Sequence, residues 1–237
     1  MIDVHFVPTP NGHKVSIMLE ETGLPYRLIP YDMLAGDHLK PEYRAVNPNH
    51  RLPAIVDNEP LGGGAPFSVM ESGAILLYLS DKAGGAFVPP DPRGRSLCLQ
   101  WLMWQMSGLG PSHGQAHHFV RYAPEGQDYG VARYTNEARR LLAVLNRRLG
   151  EVDYLAGDYS VADMAAWPWV RATRAIALDL SPYPNIVRWF ETVGARPAVQ
   201  RGTEVKNAPN LASLRPTLTP EQWSNLFGEN MLKSSET

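Results

Sequence analysis

Cysteine is nearly absent from this chain of 237 residues, which contains only Cys98. A single cysteine excludes a disulfide within the chain and any metal site built from several cysteines. Proteins with so few cysteines are typical of reducing compartments. We therefore expect the protein to work in the cytoplasm.

The sequence also lacks an excess of one charge and any long apolar run. Its 22 Lys and Arg residues nearly balance 24 Asp and Glu residues, which favours neither nucleic acid nor an acidic membrane as a partner. No apolar run approaches the roughly 18 residues that span a bilayer, and the N-terminus has no basic region before an apolar core. These features predict no membrane association and no export, and favour a small molecule or another protein as the partner.

What the chain does contain is enough apolar sequence for one large or two modest domains. Hydrophobic residues make up 44% and charged residues 19%, an ordinary soluble composition. Glycine and proline cluster between the two halves, where they break any helix and mark a linker. We predict a first domain at 1–83, a linker at 84–92, a second domain at 93–201, and a C-terminal extension at 202–237 with a short helix near 220–228.

The first domain alternates predicted strands and helices. Residues 2–7 alternate apolar and polar side chains, as in a strand, and a helical pattern separates them from a second strand at 26–31. Such a connection makes the two strands parallel. Residues 54–56 and 67–69 read as a hairpin, and a largely apolar helix follows Glu71. The predicted order is β-α-β-α-β-β-α.

Helical patterns dominate the second domain. Residues 129–149 carry their apolar side chains on one stripe. Ser160 and Asp163 have the spacing of a capping box, so they are expected to start a buried helix. Pro168 is expected to kink or end that helix, because proline removes a backbone hydrogen bond. In the extension, residues 219–222 read as another capping box with proline at the first helical position.

Two other features resemble a metal site and a phosphate-binding loop but lack residues that such sites require. His113 and His117 stand four residues apart on one helical face, but no third ligand accompanies them, so we predict no metal site. The glycines at 62–64 lack the following lysine and helix of a phosphate-binding loop. Nucleotide binding is therefore not supported.

A site is indicated where the hairpin meets the following helix. A helix N-terminus offers free N–H groups and partial positive charge, so the start of the helix at Ser72 attracts a carboxylate, while Glu71 attracts an ammonium group. A cis bond between Leu52 and Pro53 would turn the Leu52 backbone outward to pair with an extended peptide. Taken singly, Pro53 is simply a strand start and Ser72 a helix cap. Together they favour a site for a small peptide.

This arrangement resembles the cytosolic glutathione transferases over roughly residues 1–201. The resemblance implies a thioredoxin-like N-terminal domain followed by an all-helical glutathione-transferase-type domain. It also implies a homodimer that binds glutathione as co-substrate. Four segments are similar to the bacterial nu class, which is related to the globular domain of the yeast nitrogen-regulatory prion protein: 9–14, 71–79, 108–111 and 167–170.

The resemblance also implies roles for individual residues. In redox proteins of the thioredoxin-like fold a Cys-x-x-Cys pair follows the first strand, whereas this chain has Thr9 and Asn11 there. These two residues are expected to contact the glutathione sulfur. The implied contacts to the rest of glutathione are His38, His50, Arg51, Leu52, Pro53, Glu71 and Ser72, with Arg133 reaching in from the neighbouring subunit and Trp104 in the electrophile pocket.

Two functions remain open from the sequence. The first is a glutathione-dependent enzyme that mainly reduces disulfides with bound glutathione and also conjugates electrophiles. Lowering the pKa of the glutathione thiol by about two units requires roughly 2.7 kcal/mol. Hydrogen bonds from Thr9 and Asn11 would supply this free energy and so favour the ionised thiol. The alternative is a regulatory or ligand-carrying module that binds glutathione with little catalysis. Measured turnover distinguishes the two.

Overall fold

The computed structural model describes residues 1–204 and 217–236. The first part of the chain forms a four-stranded mixed sheet in the order β2-β1-β3-β4. Strand β1 is parallel to β2 and antiparallel to β3, which is antiparallel to β4. The strands are β1 (Ile2–Phe6), β2 (Tyr26–Pro30), β3 (Ala54–Asp57) and β4 (Phe67–Val69).

Helices complete the predicted order β-α-β-α-β-β-α, which the structure confirms. A 3-10 turn, Asp37–Leu39, precedes the short second helix. Gly12 is required in the first helix, because a Cβ there would lie 2.1 Å from the carbonyl oxygen of Val7. The helices are α1 (Pro10–Thr22), α2 (Pro41–Arg44) and α3 (Ser72–Lys82).

The strand register brings three separate segments to one end of the sheet. His5 pairs with Ala54, so the end of β1 lies beside the start of β3. Ile55 pairs with Val69, so the end of β4 lies there as well. The turn after β1, the loop before β3 and the start of α3 therefore meet.

The second part of the chain is helical up to residue 204. The first two of its helices are joined by a five-residue π-helical turn, Gln105–Leu109, and a 3-10 turn, Thr173–Ile176, follows the fourth. Within residues 1–204 and 217–236, no helix combines the length and apolar character needed to cross a membrane. The helices are α4 (Pro92–Trp104), α5 (Gly110–Arg121), α6 (Asp128–Glu151), α7 (Val161–Ala172), α8 (Pro184–Gly194) and α9 (Pro197–Thr203).

Helix α7 starts at the predicted capping box, which the structure confirms. The Ser160 hydroxyl accepts from the Ala162 amide at 3.3 Å, and the Asp163 carboxylate accepts from the Ser160 amide at 3.1 Å. Asp163 is fully buried and also accepts from the Leu155 amide at 3.0 Å and the Trp189 indole at 2.9 Å. Burial raises the pKa of Asp163 to about 6, although these hydrogen bonds act against the shift.

Pro168 does not end α7, which continues to Ala172. Of the two expected outcomes, an end of the helix at this proline is therefore wrong, and a kink stays a prediction. A proline inside a helix removes one backbone hydrogen bond and crowds the preceding turn. Here Trp167 and Val170 on either side are buried in the core, and this packing holds the helical backbone in place.

The C-terminal extension contains two short helices where one was predicted. The capping box of Thr219 and Gln222 is present, close to the predicted start near 220. The part of the predicted extension at 205–216 lies outside the described residues. The Asn225 amide donates to the Leu34 carbonyl at 2.9 Å, while the Phe227 ring lies 4.7 Å from the His118 ring. The extension thus bridges the sheet domain and the helical domain through α10 (Pro220–Phe227) and α11 (Glu229–Glu236).

Candidate functional site

Thr9 lies in the turn after β1 and caps α1. Its hydroxyl oxygen accepts from the Gly12 amide at 3.3 Å. A hydroxyl can accept and donate at the same time. No acceptor for its proton is present in the parts of the chain that the structure covers. Thr9 therefore offers an O–H donor at the end of the sheet.

Asn11, in the first turn of α1, presents a second donor. Its side-chain oxygen accepts from the indole N–H of Trp169 at 2.9 Å. Because an indole N–H can only donate, the oxygen of the Asn11 amide must face Trp169 and the NH₂ group must face away. That NH₂ group has no partner among the described residues. Thr9 and Asn11 together form a pair of donors suited to an anion such as a thiolate.

Hydrogen bonds to Arg51 fix the loop before β3, while the backbone amide and carbonyl of Leu52 are left available to a ligand. The Leu52–Pro53 peptide bond is cis. The Arg51 carbonyl accepts from the Tyr43 hydroxyl at 2.7 Å and from the Asn47 side-chain amide at 2.6 Å. The amide and carbonyl of Leu52 make no hydrogen bond within the described ranges. They are available to an extended ligand lying alongside.

The N-terminus of α3 is backed by a buried lysine. Glu71 is exposed with φ of 67°, and Ser72 is buried at the first helical position. The Lys14 ammonium donates to the Ser72 hydroxyl at 3.2 Å, to the Gln105 side-chain oxygen at 2.7 Å and to the Met106 sulfur at 3.2 Å. The Ser72 hydroxyl therefore has an ammonium group behind it.

Lys14 strengthens the attraction of this helix end for a carboxylate. Burial lowers its pKa to about 7, while the nearby Glu71 carboxylate acts in the opposite direction. In its protonated form Lys14 adds positive charge to the free N–H groups of α3. The sequence alone did not predict a role for Lys14. The available signal was a lysine at 14 directly beside the apolar positions that α1 buries.

His38, His50 and Arg51, which were all expected to contact glutathione, differ in character. His50 Nδ1 lies 2.8 Å from the His38 carbonyl oxygen, so it supports the loop. Burial, with the nearby charges of Arg51 and His50, lowers the pKa of His38 to about 4, which leaves that ring neutral. Arg51 is exposed, and its Nη2 lies 2.9 Å from the Met231 sulfur of α11. Arg51 is the cation in this set, and a thioether is a weak partner for it.

Trp104 and Arg133 lie away from this end of the sheet. Trp104 packs edge-on against Trp101, with ring centroids 5.2 Å apart, in a groove between α4 and α6. Arg133 is exposed on α6 and lies 3.8 Å from the Glu137 carboxylate one turn along. Neither contacts the turn after β1 within the described residues, so both roles remain predictions.

Cys98 is positioned in the core and not at the site. Its side chain is fully buried in α4 of the helical domain. Burial raises the pKa of its thiol. A buried, protonated thiol is a poor nucleophile. Cys98 therefore does not supply a thiolate to the donors of Thr9 and Asn11.

Buried histidines make the fold sensitive to acid. Burial lowers the pKa of His13, His38 and His113 to about 4, below the ordinary value of 6.5. Between these values the unfolded chain binds more protons, so the stability present above pH 6.5 is lost as the pH falls toward 4. Each contributes a loss of about 2 kcal/mol at pH 5. The raised pKa of Asp163 acts in the opposite sense over the same window.

We therefore expect the free energy of unfolding to be roughly 3 to 5 kcal/mol lower at pH 5 than at pH 7. Urea unfolding followed by circular dichroism at the two pH values measures it. In a His113→Gln variant the difference should shrink by about 2 kcal/mol, because the contribution of one of the three histidines is removed. Equal free energies at both pH values in the wild-type protein would contradict the expectation.

Comparison with known proteins adds to this geometry. Residues 9–82 match the family model for the glutathione S-transferase N-terminal domain, and residues 128–192 match that for the C-terminal domain. Among similar proteins, the disulfide-bond oxidoreductase YfcG of Escherichia coli (strain K12) is 49% identical over 199 residues, which cover 84% of this chain and 92% of YfcG. The matched N-terminal region includes Thr9, Asn11 and Ser72.

Two similar solved structures contain ligands. A glutathione transferase family member from Pseudomonas fluorescens pf-5 has two glutathione molecules bound, with a TM-score of 0.81 and 40% identity over 86% of this chain and 93% of that one. A glutathione transferase from Pseudomonas putida has one glutathione disulfide bound per subunit. It shows a TM-score of 0.81 and 39% identity over 87% of this chain and 92% of that one.

Proposed function

Because the chain belongs to the glutathione S-transferase family, we propose that it is a glutathione-dependent enzyme that reduces disulfides with bound glutathione. The observation that carries this proposal is the pair of donors on Thr9 and Asn11 in a chain whose sole thiol, Cys98, is buried. The oxidoreductase relative and the neighbours that hold two glutathiones or glutathione disulfide support it. The need for reduced glutathione favours the cytoplasm as its compartment.

Each part of glutathione has a matching group at the end of the sheet. Its α-carboxylate meets the Ser72 hydroxyl and the N-terminus of α3, with Lys14 behind, and its ammonium group meets Glu71. The cysteinyl backbone pairs with Leu52 as an added strand would. The exposed Arg51 guanidinium serves the glycyl carboxylate. The cysteinyl sulfur then lies toward the turn after β1.

The reaction consists of two thiol–disulfide exchanges. The bound glutathione thiolate attacks one sulfur of the substrate disulfide, forming a mixed disulfide and releasing the first thiolate product. A second glutathione thiolate attacks the glutathione sulfur of that mixed disulfide, giving glutathione disulfide and the second product. Two glutathiones are oxidised and one substrate disulfide is reduced. Thr9 and Asn11 stabilise the attacking thiolate by hydrogen bonding.

Binding and turnover together test this function. Calorimetry measures glutathione binding, and glutathione-dependent reduction of hydroxyethyl disulfide is followed by coupling to glutathione reductase. Conjugation of 1-chloro-2,4-dinitrobenzene, assayed in parallel, measures activity toward electrophiles. We expect binding with clear disulfide turnover. Binding without turnover would support the alternative of a regulatory or carrier module, and the absence of binding would overturn the proposal.

The head-group contacts lead to a prediction about affinity. Glu71→Gln and Ser72→Ala should each weaken glutathione binding by roughly 1.5 to 3 kcal/mol, the scale of a hydrogen bond to a charged group. Ser68→Ala, an exposed serine on β4, is a suitable control and should bind as the wild type does. Calorimetry is the measurement. Wild-type affinity in both site variants would remove Glu71 and Ser72 from the site.

We also propose a homodimer in which Arg133 reaches the partner's glutathione. Exposed apolar side chains support an interface, with Phe67 52%, Met70 40% and Met103 49% exposed. Arg133→Ala should weaken glutathione binding by about tenfold, as expected for the loss of one charged hydrogen bond. Arg140→Ala is the matched control, because Arg140 lies on the same helix and pairs with Glu137 at 2.7 Å.

Light scattering at micromolar concentration measures the mass, and calorimetry the affinity. A monomeric mass would rule out the dimer. A dimer in which Arg133→Ala and Arg140→Ala bind glutathione equally well would show that Arg133 lies outside the site.

A further inference from the structure

The Asn11 amide is held by a side chain from the other domain. Trp169, on α7 of the helical domain, donates its indole N–H to the Asn11 oxygen at 2.9 Å, across 158 positions of sequence. The glutathione function proposed above gives Asn11 the role of donor to sulfur. It does not explain why the amide should present its NH₂ group and not its oxygen.

The orientation of that amide decides the sign of its interaction with sulfur. The two ends of an asparagine side chain have nearly the same shape but opposite hydrogen-bonding character. An NH₂ group toward the sulfur stabilises a thiolate, whereas an oxygen in the same place repels it. Asn11 alone could adopt either orientation. An indole N–H can only donate, so it favours the orientation in which the amide oxygen faces the indole and disfavours the reverse.

We propose that Trp169 is a positioning residue for the reaction, holding the Asn11 amide with its NH₂ group directed toward the glutathione sulfur. The inference rests on the proposed function, because the sulfur belongs to bound glutathione. Trp169 does not itself contact the reacting atoms in this arrangement. Its effect reaches them through Asn11.

The indole is itself fixed by its surroundings. A Cβ built on Gly110 would lie 3.3 Å from the Trp169 ring nitrogen, and one on Gly114 would lie 3.5 Å from the far edge of the ring. The backbone of α5 therefore supports the indole closely along its length. The His117 ring stands edge-on to it at 6.2 Å and is anchored by a contact of 3.1 Å to the Ala172 carbonyl. A donor held this firmly can set the orientation of its partner.

Trp169→Phe removes the N–H donor while keeping an aromatic ring at this position. The pH at which bound glutathione ionises should then rise, because the Asn11 amide is free to turn its oxygen toward the sulfur. Disulfide turnover at pH 7 should fall by about threefold to tenfold, the scale of one neutral hydrogen bond. The affinity for S-hexylglutathione, which has no ionisable thiol, should stay within about twofold of wild type, because the head-group contacts are unchanged. Thiolate ultraviolet absorbance against pH reports the ionisation.

A matched control lies two residues earlier on the same helix. Trp167 donates its indole N–H to the Phe190 carbonyl at 2.9 Å, away from Asn11. Trp167→Phe therefore loses an equivalent hydrogen bond and should leave thiol ionisation unchanged. A double-mutant cycle completes the test. In an Asn11→Ala background, Trp169→Phe should have no further effect on turnover.

Three results would overturn the inference alone: unchanged thiol ionisation in Trp169→Phe, an equal shift in Trp167→Phe, or a Trp169→Phe effect that persists without Asn11. In each case the wild-type protein still binds and ionises glutathione, so the proposed function stands. Absence of any bound thiolate in the wild-type protein would overturn the proposed function and this inference together.

Discussion

Thr9→Ala and Asn11→Ala should each lower hydroxyethyl disulfide turnover by roughly tenfold to a hundredfold, as expected for a lost hydrogen bond to a thiolate. Thr9 has an unused hydroxyl proton and Asn11 an unused NH₂ group within the described chain, and both are placed after β1. The loss should appear mainly in kcat. Glutathione affinity, which depends on the contacts of Ser72 and Glu71, should change by less than about threefold.

Thr9 needs its own control, because it also caps α1. Loss of an N-cap costs about 1 kcal/mol of stability, which must not be mistaken for lost catalysis. Thr9→Ser keeps both the cap and the O–H donor, so it should retain most of the turnover. If Thr9→Ser were as slow as Thr9→Ala, the hydroxyl would not be the active group.

Cys98→Ala is the matching test of the thiol chemistry. This thiol is buried in α4, and burial raises its pKa, so it cannot serve as the attacking thiolate. The variant should keep nearly full turnover. Loss of turnover in folded Cys98→Ala, with Thr9→Ala still active, would show that the proposed sulfur chemistry is wrong.

Asp163→Ala should lower the free energy of unfolding by about 3 to 5 kcal/mol, the scale of breaking a buried charged network. The carboxylate accepts from the amides of Leu155 and Ser160, from the Ser160 hydroxyl and from the Trp189 indole. Alanine would leave all four donors without an acceptor in the core. Buried donors that lose their partners account for most of such a cost.

Urea unfolding measures the loss of stability in Asp163→Ala, and two further variants serve as comparisons. Asp163→Asn keeps one acceptor oxygen and should fall between wild type and alanine. Asp179→Ala removes an exposed carboxylate that accepts from the Ser181 amide at 2.9 Å, and it should cost less than about 1 kcal/mol. A loss in Asp163→Ala no larger than that in Asp179→Ala would show that the network does not stabilise the fold.

The sequence by itself determined the features that depend on neighbouring positions. The capping boxes at Ser160 and Thr219 involve hydrogen bonds across three residues, so their spacing was sufficient to predict them. The buried stripe of α6 follows from helical periodicity, and the start of α3 at Ser72 follows from the hairpin before it. The roles of Thr9 and Asn11 came from resemblance to the family and not from spacing.

Only the tertiary structure decided which distant side chains meet. Lys14 reaches Ser72 and Gln105, and Trp169 reaches Asn11, because α1 packs between α3 and α7. A local pattern shows which face of a helix is apolar, but not which donor on another helix will lie opposite a given amide. Tertiary packing also decided the outcome at Pro168, where a proline within a helix favours its end but α7 continues to Ala172. Burial of the surrounding residues outweighs one missing backbone hydrogen bond, and no pattern within a single helix shows that balance.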